Sequence, residues 1–460
     1  MLNFHNNNQY QYDNSKRKEM KKTKLIVASM SIAAALVFAG CAKDNMAMGE
    51  MKNTTLLSTY SSIATKNYAD ALSDAIALRF QIDAFATNPT AENLELAKKA
   101  WLQSRESYGQ TEIFRLSNGP IDAEDGWVAE TYGSLEGQLN AWPLDENMID
   151  YTVDANGKRT SGNIIDTKGT FNPGGEGSES VNIKKITVNA ITALNENGGD
   201  SNVATGYHAV EFMLWGQDQD YSNFIKNGVT NGDLKAGNRP LTDFTTDKGA
   251  SRRLAFLKAA SEKIVGDLDT VNSAWSNDAL YAKALNGQLS GDNAGKNIDR
   301  KTALTQIFAG MGVFIKSELA NERIAVAVLT PSEEDEHSCF SDNTHRDITL
   351  NYQGFKNVLV GSYEGTSYGK APIDALDAAT KTRVTTLMTS IETKLESMNE
   401  IARTSRHFDR QIRPNDPQSK VIVKLKNEMR KLGDEMVNVA KSNGINLSVD
   451  DVTDAEETKI

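Results

Sequence analysis

The chain has no basic patch, and its basic residues are fewer than its acidic ones. Its 460 residues carry 50 Lys and Arg against 61 Asp and Glu, a formal net charge of −11. A protein that binds nucleic acid needs clustered positive charge on one face, so this balance argues against nucleic acid as a partner. An acidic surface is instead compatible with attracting cations.

Alternation of apolar and polar residues, the pattern of a half-buried strand, is nearly absent. Apolar residues instead recur every three or four positions, as in Tyr60, Ala64, Ala71, Ala75, Leu78, Ile82 and Phe85. Further amphipathic runs cover about 185–196, 205–215, 250–272, 298–329, 372–405 and 416–442. A long irregular stretch rich in Gly, Asp and Asn extends from about 118 to 182. The sequence therefore predicts an all-α fold.

Cysteine is scarce, with only Cys41 and Cys339 in the chain. KKTK at 21–24 precedes the run LIVASMSIAAALVFAGC, which is too short to span a bilayer and ends at Cys41. This arrangement resembles a bacterial lipoprotein signal with Phe38-Ala39-Gly40-Cys41 as the lipobox, which implies cleavage before Cys41 and acylation of its thiol. Cys339 would then have no partner for an internal disulfide. The alternative is a signal-anchor helix that stays uncut.

The signal sets the domain layout. Residues 1–40 are an N-terminal extension and signal peptide, with Met20 as the expected start, and residues 41–53 form a polar tether. Ala42 rather than aspartate follows Cys41, which favours the outer membrane, on either face. Residues 54–442 form the helical domain, and residues 443–460 are an acidic tail.

Within the helical domain, two long helices and a motif-bearing loop are followed by the same plan after about residue 250. We therefore expect two pseudo-symmetric helical-bundle halves, about 54–245 and 246–442, with a single irregular bundle as the alternative.

The segment GYHAVEFMLWGQD, residues 206–218, places His208 and Glu211 three positions apart, on one face of a helix. An imidazole and a carboxylate on one face can bind a metal ion. The alternative is a hydrogen-bonded structural pair in the core. Ala209 and Phe212 stand where the zinc-peptidase pattern H-E-x-x-H has its glutamate and second histidine, so a catalytic zinc would need ligands from elsewhere.

Three other segments carry polar groups that could contribute. EEDEHSCFSDNTHRDI, residues 333–348, combines acids with Ser338 and two histidines, and it is either a solvated acidic loop or a source of donors for iron, zinc or manganese. Glu318 and Glu322, one turn apart and followed by Arg323, repel each other unless a cation lies between them, or form an ordinary salt-bridged surface. Trp101 is expected in the core, and Ser104 and Arg105 could line a site.

These segments together resemble the imelysin family, also classed as M75 peptidases. The resemblance covers about residues 54–442. It rests on Gly206-x-His208-x-x-Glu211 with Phe212, Leu214 and Trp215-Gly216-Gln217-Asp218, on Trp101-x-x-Ser104-Arg105, Gly119-Pro120-Ile121-Asp122, Asn140-Ala141-Trp142-Pro143, Ala236-Gly237-Asn238-Arg239-Pro240 and Ser338-Cys339-Phe340-Ser341-Asp342-Asn343-Thr344-His345. It implies an all-helical fold of two bundle-like halves with the GxHxxE site near their interface, and a relation to bacterial iron uptake.

The expected function is that of an outer-membrane lipoprotein that binds a metal or an iron-bearing ligand during acquisition, with iron-uptake proteins as partners. Iron is the favoured ion and zinc the alternative. The expected first ligands are His208 and Glu211, the further candidates are Glu318, Glu322, Asp342 and His345, and the lining residues are Gly206, Trp101, Ser104, Arg105, Arg323 and Ser338.

Two other functions stay open at this point. One is a zinc-dependent peptidase in which Glu211 activates water. The other is a non-catalytic binder of haem, peptide or polysaccharide, with the 118–182 loop and Trp142 as its contact surface.

Overall fold

Helices dominate the computed structural model, which describes residues 55–153, 158–217, 236–329 and 336–454. The α-helices of the first part are α1 Leu56–Thr87, α2 Ala91–Thr111, α3 Gly126–Tyr132, α4 Glu136–Leu139, α5 Glu146–Ile149, α6 Val188–Leu194, α7 Gly206–Trp215, α8 Thr242–Thr245, α9 Ala250–Trp275 and α10 Leu280–Leu285. Those of the second part are α11 Arg300–Val313, α12 Val326–Leu329, α13 Thr344–Val360, α14 Ala378–Thr404, α15 Phe408–Gln411 and α16 Ser419–Ser442.

The remaining elements are short, apart from one long π-helix. The π-helix, Phe314–Ala325, continues α11, and 3-10 turns cover Glu112–Phe114, Gly291–Lys296, Pro372–Ala375 and Asp450–Val452. The strands in the described residues form two antiparallel pairs, β1 Thr170–Phe171 with β2 Val181–Asn182, and β3 Ser362–Tyr363 with β4 Thr366–Ser367. The prediction of an all-α fold is confirmed.

The first two helices follow directly from local sequence. The Thr55 side chain accepts from the backbone N–H of Ser58, and the Ser58 side chain accepts from that of Thr55, a reciprocal cap that starts α1. Thr90 caps α2 by accepting from the backbone N–H of Asn93, as its position before the apolar stripe predicts. The apolar stripe of α1 is buried, so α1 packs along both α2 and α9.

Helix α2 contacts helices from both parts of the chain, α1 and α7 from the first part and α13 from the second. In the first, α7 lies against α2 and α9; in the second, α16 packs on α11, α14 and the π-helix. The contact between α2 and α13 is close because glycines face it: a Cβ at Gly354 would lie 2.3 Å from the carbonyl oxygen of Gln110. This crossing brings α13 beside the helix that supports α7.

The structure adds one long helix to those that the sequence predicts. Residues 344–348 were expected in a loop, but α13 begins at Thr344 and runs to Val360. Its buried face carries Asp347 and Asn351 among the apolar residues, and these polar positions interrupt the apolar stripe by which a helix is recognised.

Several predictions concern residues that the structure leaves undescribed. The lipobox with Cys41, the 1–40 extension and the 41–53 tether lie outside the described residues, as do Asp218, residues 333–335 and the end of the acidic tail. The boundary between halves at 245 and 246 stays a prediction; α9, which follows it, lies against α1 and α7. Among the described helices, none combines the length and apolar character needed to cross a bilayer.

Candidate functional site

Helix α7 lies in the interior from its first residue to its last, so His208 and Glu211 are buried at 1% and 0% exposure. Its start depends on Gly206, which has φ +83°, and a Cβ at this position would lie 2.5 Å from the carbonyl oxygen of Leu139. Only glycine fits such a conformation and such a close approach without strain. Gly206 therefore lets α7 enter the core directly beneath the end of α4.

Two residues singled out on α2 hold α7 in place. The indole N–H of Trp101 donates to the carbonyl oxygen of Tyr207 at 2.9 Å, and the hydroxyl groups of Ser104 and Tyr207 are 2.8 Å apart. Both α2 side chains are fully buried. Trp101 is thus a core residue, as expected, and Ser104 contacts the residue beside His208.

His208 and Glu211 contact each other and a loop from the second part of the chain. His208 Nδ1 and Glu211 Oε2 are 2.9 Å apart. Glu211 Oε1 accepts from the backbone N–H of Ser341 at 2.9 Å and from its hydroxyl at 2.7 Å. Burial raises the pKa of Glu211 to about 8, so in the metal-free protein this carboxyl group is mainly protonated at neutral pH.

The other nitrogen of His208 faces a second histidine. His208 Nε2 and His337 Nε2 are 3.3 Å apart, with the two rings nearly perpendicular. His337 Nδ1 lies 2.9 Å from Asp347 Oδ2. Each imidazole therefore has a carboxyl group at Nδ1, and the two Nε2 atoms point toward one another.

Asp347, on the first turn of α13, is the most heavily hydrogen-bonded group of the site. Besides His337, it accepts from Arg105 Nε at 3.2 Å, from Asn343 Nδ2 at 3.3 Å and from the Ser338 hydroxyl. Burial opposes its ionisation, but the Arg105 guanidinium and these hydrogen bonds hold the pKa of Asp347 well below its usual range. Asp347 is therefore ionised at neutral pH.

The histidines are neutral for the opposite reason. Burial, followed by the charge of Arg323, lowers the pKa of His337 to about 4. Burial and the neighbouring His337 lower the pKa of His208 well below its usual range. Ionised Asp347 accepts a hydrogen bond from the Nδ1–H of neutral His337, which leaves the Nε2 of His337 with a lone pair directed at His208.

Arg105 links Asp347 to a second group of buried charges, Glu112 and Arg323. Its Nη1 donates to Asn140 Oδ1 at 2.7 Å, and Asn140 Nδ2 lies 3.4 Å from both Glu112 Oε2 and His337 Nε2. Glu112 Oε2 also accepts from Arg323 at 2.8 Å. The buried carboxylates of Asp347 and Glu112 each face a guanidinium, so their charges are neutralised within the core.

The π-helix brings Glu318 and Arg323 together. Arg323 Nη2 and Glu318 Oε1, five positions apart, are 2.9 Å from each other, and Arg115 Nη1 lies 3.0 Å from the same oxygen. Burial opposes ionisation, but these two arginines lower the pKa of Glu318 to about 2. Glu318 is thus placed as the partner of two cations, and no described contact joins it to His208.

The other predicted ligands form their described hydrogen bonds and ion pairs with residues other than His208 and His337. Asp342 pairs with His407, and His345 Nδ1 lies 3.0 Å from the carbonyl oxygen of Asp342. The Glu322 carboxylate is exposed and accepts from Asn321 at 3.2 Å. Of the four further ligand candidates, none is hydrogen-bonded to His208 or Glu211 in the described part of the chain.

His208 and His337 are the described residues that could hold a cation together. Two imidazole nitrogens that each lie about 2.0–2.1 Å from one tetrahedral ion are roughly 3.3–3.4 Å apart, close to the Nε2 separation. Metal-binding histidines commonly place the second ring nitrogen on a carboxylate, as both rings do here. The described residues contain no group of three or more His, Cys, Asp or Glu side chains arranged around one ion. The chain thus offers two nitrogen ligands and leaves the other positions to water or ligand.

Sequence reasoning overlooked His337 and Asp347 as a unit. Both stand in the 333–348 segment, but ten residues and a change from loop to helix separate them. The pattern Thr344-His345-Arg346-Asp347 is typical of a helix start and was available as a signal. The pairing of His337 with a residue 129 positions away has no local signal.

Comparison with known proteins identifies the family of the chain. The sequence profile of the peptidase M75 family, imelysin, matches residues 64–436. A stretch of 111 residues is 27% identical to iron-regulated protein A of Synechococcus elongatus and makes up 24% of this chain and 27% of that protein. The chain thus matches about a quarter of this relative's length.

Two crystal structures are similar to this chain, and the first of them shares its fold. One, from Parabacteroides distasonis and provisionally named iron-regulated protein A precursor, has a TM-score of 0.56 and 16% identity, over 84% of this chain and 94% of that one. The other, an imelysin-like protein from Psychrobacter arcticum, has a TM-score of 0.49 and 11% identity, over 85% and 97% of the two chains. Because the family profile spans most of the sequence, this chain belongs to the imelysin family.

Proposed function

We propose that this protein binds one metal ion between His208 and His337 and that it serves in metal acquisition. The observation that carries the proposal is the 3.3 Å approach of the two Nε2 atoms, each on a ring whose Nδ1 faces a carboxyl group. Two neutral imidazoles that meet in this way share one hydrogen between their nitrogens. A cation that replaces this hydrogen gains two nitrogen ligands in a buried site.

The chain's residues provide orientation as well as ligands. Glu211 fixes the ring of His208, and Ser341 in turn fixes Glu211 with two hydrogen bonds. Asp347 fixes the ring of His337. A bound ion would supply Lewis acidity, and the neighbouring residues would set its coordination number and its access to solvent.

Iron is the ion we favour. The S. elongatus relative and the P. distasonis structure both carry the name iron-regulated protein A, and imidazole nitrogen is a suitable ligand for iron as well as for zinc. We further propose that the protein is held in the outer membrane by acylated Cys41 and passes its metal to iron-uptake proteins. The lipobox sequence supports the anchor.

Proteolysis is less well supported than binding. A hydrolytic glutamate needs a carboxylate oxygen free to take a proton from water. In this structure Glu211 Oε2 contacts His208, and Glu211 Oε1 takes both hydrogen bonds from Ser341. These contacts favour a role for Glu211 in orienting His208, so we propose a metal-binding protein without peptidase activity.

Metal analysis of purified protein tests the proposal. Full-length protein without a His-tag is loaded with Fe²⁺ under anaerobic conditions or with Zn²⁺, desalted and measured by mass spectrometry beside His208→Gln and His337→Gln. We expect about one equivalent of metal in the wild type and its loss in both variants.

His345→Gln is the matched control. His345 is a partly buried histidine of the same segment, but its Nδ1 contacts a backbone carbonyl rather than the site. It should keep its metal. Retention of metal by His337→Gln, or absence of metal from the loaded wild type, would contradict the proposal.

A further inference from the structure

A pocket of about 300 Å³ reaches His337, one member of the histidine pair, and Asn140 also lies in its wall. The buried members of its lining include these two residues and Arg323, whereas Glu196, Asp200 and Glu322 are exposed. The pocket therefore extends from a solvent-exposed rim of three carboxylates to the imidazole of His337. Trp142 forms part of the same wall and lies edge-on to His337, 5.6 Å between ring centres.

The lining carries more negative than positive charge. Its acids are Glu136, Glu196, Asp200, Glu318 and Glu322, and its bases are Arg115 and Arg323, a formal excess of three negative charges. The inner acids are paired, since Arg115 lies 3.4 Å from Glu136 and 3.0 Å from Glu318. The three rim acids form no ion pair within the described residues.

The two arginines are engaged and cannot readily recruit an anion. Arg323 donates to Asn351 at 2.6 Å and contacts Glu112 and Glu318. Arg115 lies within 3.5 Å of carboxylate oxygens on Glu112, Asp122, Glu136 and Glu318. The charge left to act on an approaching solute is that of the rim.

A cleft with walls of one sign concentrates the field of its charges and raises the local concentration of the opposite ion. A hydrated cation is attracted along such a pocket. An anionic metal chelate, such as a polycarboxylate complex, is repelled by the rim before it can reach His337.

We propose that this pocket is the entrance to the site and that it admits a hydrated cation in preference to an anionic metal chelate, with Glu196, Asp200 and Glu322 as the steering charges. The inference rests on the proposed function, because it names the form in which that site receives its metal. It also assigns Glu322 to the rim rather than to the ligands.

Association kinetics test the inference. Co²⁺, whose visible absorption changes on nitrogen ligation, is mixed with full-length protein in a nonionic detergent in a stopped-flow instrument. The variant combines Glu196→Gln, Asp200→Asn and Glu322→Gln. At about 10 mM salt we expect its association rate constant to fall at least about threefold, with little change in dissociation. The difference should vanish near 1 M salt, where the screening length is about 3 Å.

The matched control combines Glu92→Gln, Glu262→Gln and Asp269→Asn, which removes equal charge from exposed positions that do not line the pocket. Its rate should equal that of the wild type. In a second arm, Co²⁺ supplied as an anionic citrate complex should load the wild type more slowly than free Co²⁺, and the rim variant should narrow this gap.

The outcomes separate the inference from the proposed function. If the wild type binds Co²⁺ and both triple variants associate at the wild-type rate, or slow equally, the entrance is refuted while the histidine site stands. If the citrate complex loads as fast as the free ion, the preference is refuted. If the wild type binds no metal at equilibrium, the proposed function itself fails.

Discussion

The Nε2 atoms of His208 and His337 lie 3.3 Å apart although 129 positions separate the two residues along the chain. Helix α7 supplies the first and the loop before α13 supplies the second, so the site exists only where the two parts of the chain meet. Glu211 reinforces this contact, because its carboxyl group binds His208 on its own helix and Ser341 on the opposing loop. The GxHxxE motif therefore supplies half of the candidate site, and the loop before α13 supplies the other half.

Replacing the orienting carboxyl group should weaken metal binding without abolishing it. Glu211→Gln keeps the size of the side chain but removes the carboxylate that would accept a hydrogen bond from the Nδ1–H of His208 when both Nε2 atoms face a cation. Loss of such an orienting partner typically costs about 10–100-fold in affinity. Competition with a chelator measures the change. Asp342→Asn, at a predicted ligand that pairs with His407 instead, should bind like the wild type; an equal loss there would favour the ligand set predicted from the sequence.

Metal binding at neutral pH should release about one proton. With the pKa of Glu211 at about 8, Glu211 is largely protonated at pH 7 and donates to His208 Nδ1, while His208 donates from Nε2 to His337. Presenting both Nε2 lone pairs to one cation requires His208 to carry its proton on Nδ1 and Glu211 to lose its own. Calorimetry at pH 7 in buffers of different ionisation enthalpy gives the proton count. The release should fall toward zero above pH 8, and a count near zero at pH 7 would contradict this proton arrangement.

The helical class and the first half of the site could be predicted because their signals are local. The three- to four-residue apolar period identifies α1 and α2, and a three-residue spacing places His208 and Glu211 on one face. The second half could not be predicted, since His337 and Asp347 take their roles from long-range packing. The sequence also could not show which acidic residues have basic partners in the fold. Glu318 is a candidate ligand by sequence, but Arg115 and Arg323 form ion pairs with its carboxylate.

Glu211 should reduce stability as the pH rises, and its replacement should remove this dependence. The folded-state pKa of Glu211 is raised from 4.5 to about 8, so its contribution is fully present below pH 4.5 and is lost as the pH rises through 8. Gln mimics the protonated acid. Metal-free Glu211→Gln should therefore unfold like the wild type near pH 5 and be more stable at pH 8, by about 2–4 kcal/mol for a buried group with a shift of this kind.

Chemical denaturation of metal-free protein at pH 5 and pH 8 measures this effect. Glu92→Gln, at an exposed position, serves as the control and should unfold like the wild type at both pH values. A wild type that is as stable as Glu211→Gln at pH 8 would mean that the buried carboxyl ionises without cost. Glu211→Gln is thus expected to weaken metal binding and to stabilise the metal-free protein at pH 8, so the two measurements separate the role of Glu211 in binding from its effect on folding.

Glycine at position 206 should be essential to the entry of α7 into the core, whereas glycine at position 266 should not matter. Gly206 combines φ +83° with a Cβ position 2.5 Å from the Leu139 carbonyl oxygen, so alanine there must strain the backbone and displace α4. We expect Gly206→Ala to cost about 1–3 kcal/mol or more in unfolding free energy.

A Cβ at Gly266, in the middle of α9, would meet nothing within 4 Å. Gly266→Ala should instead stabilise the protein by about 0.5–1 kcal/mol, because alanine restricts the unfolded chain and favours helix. A lower midpoint of thermal unfolding for Gly206→Ala and a higher one for Gly266→Ala would show that α7 requires glycine at its first residue. Equal shifts of the two midpoints would mean that α7 tolerates a side chain there.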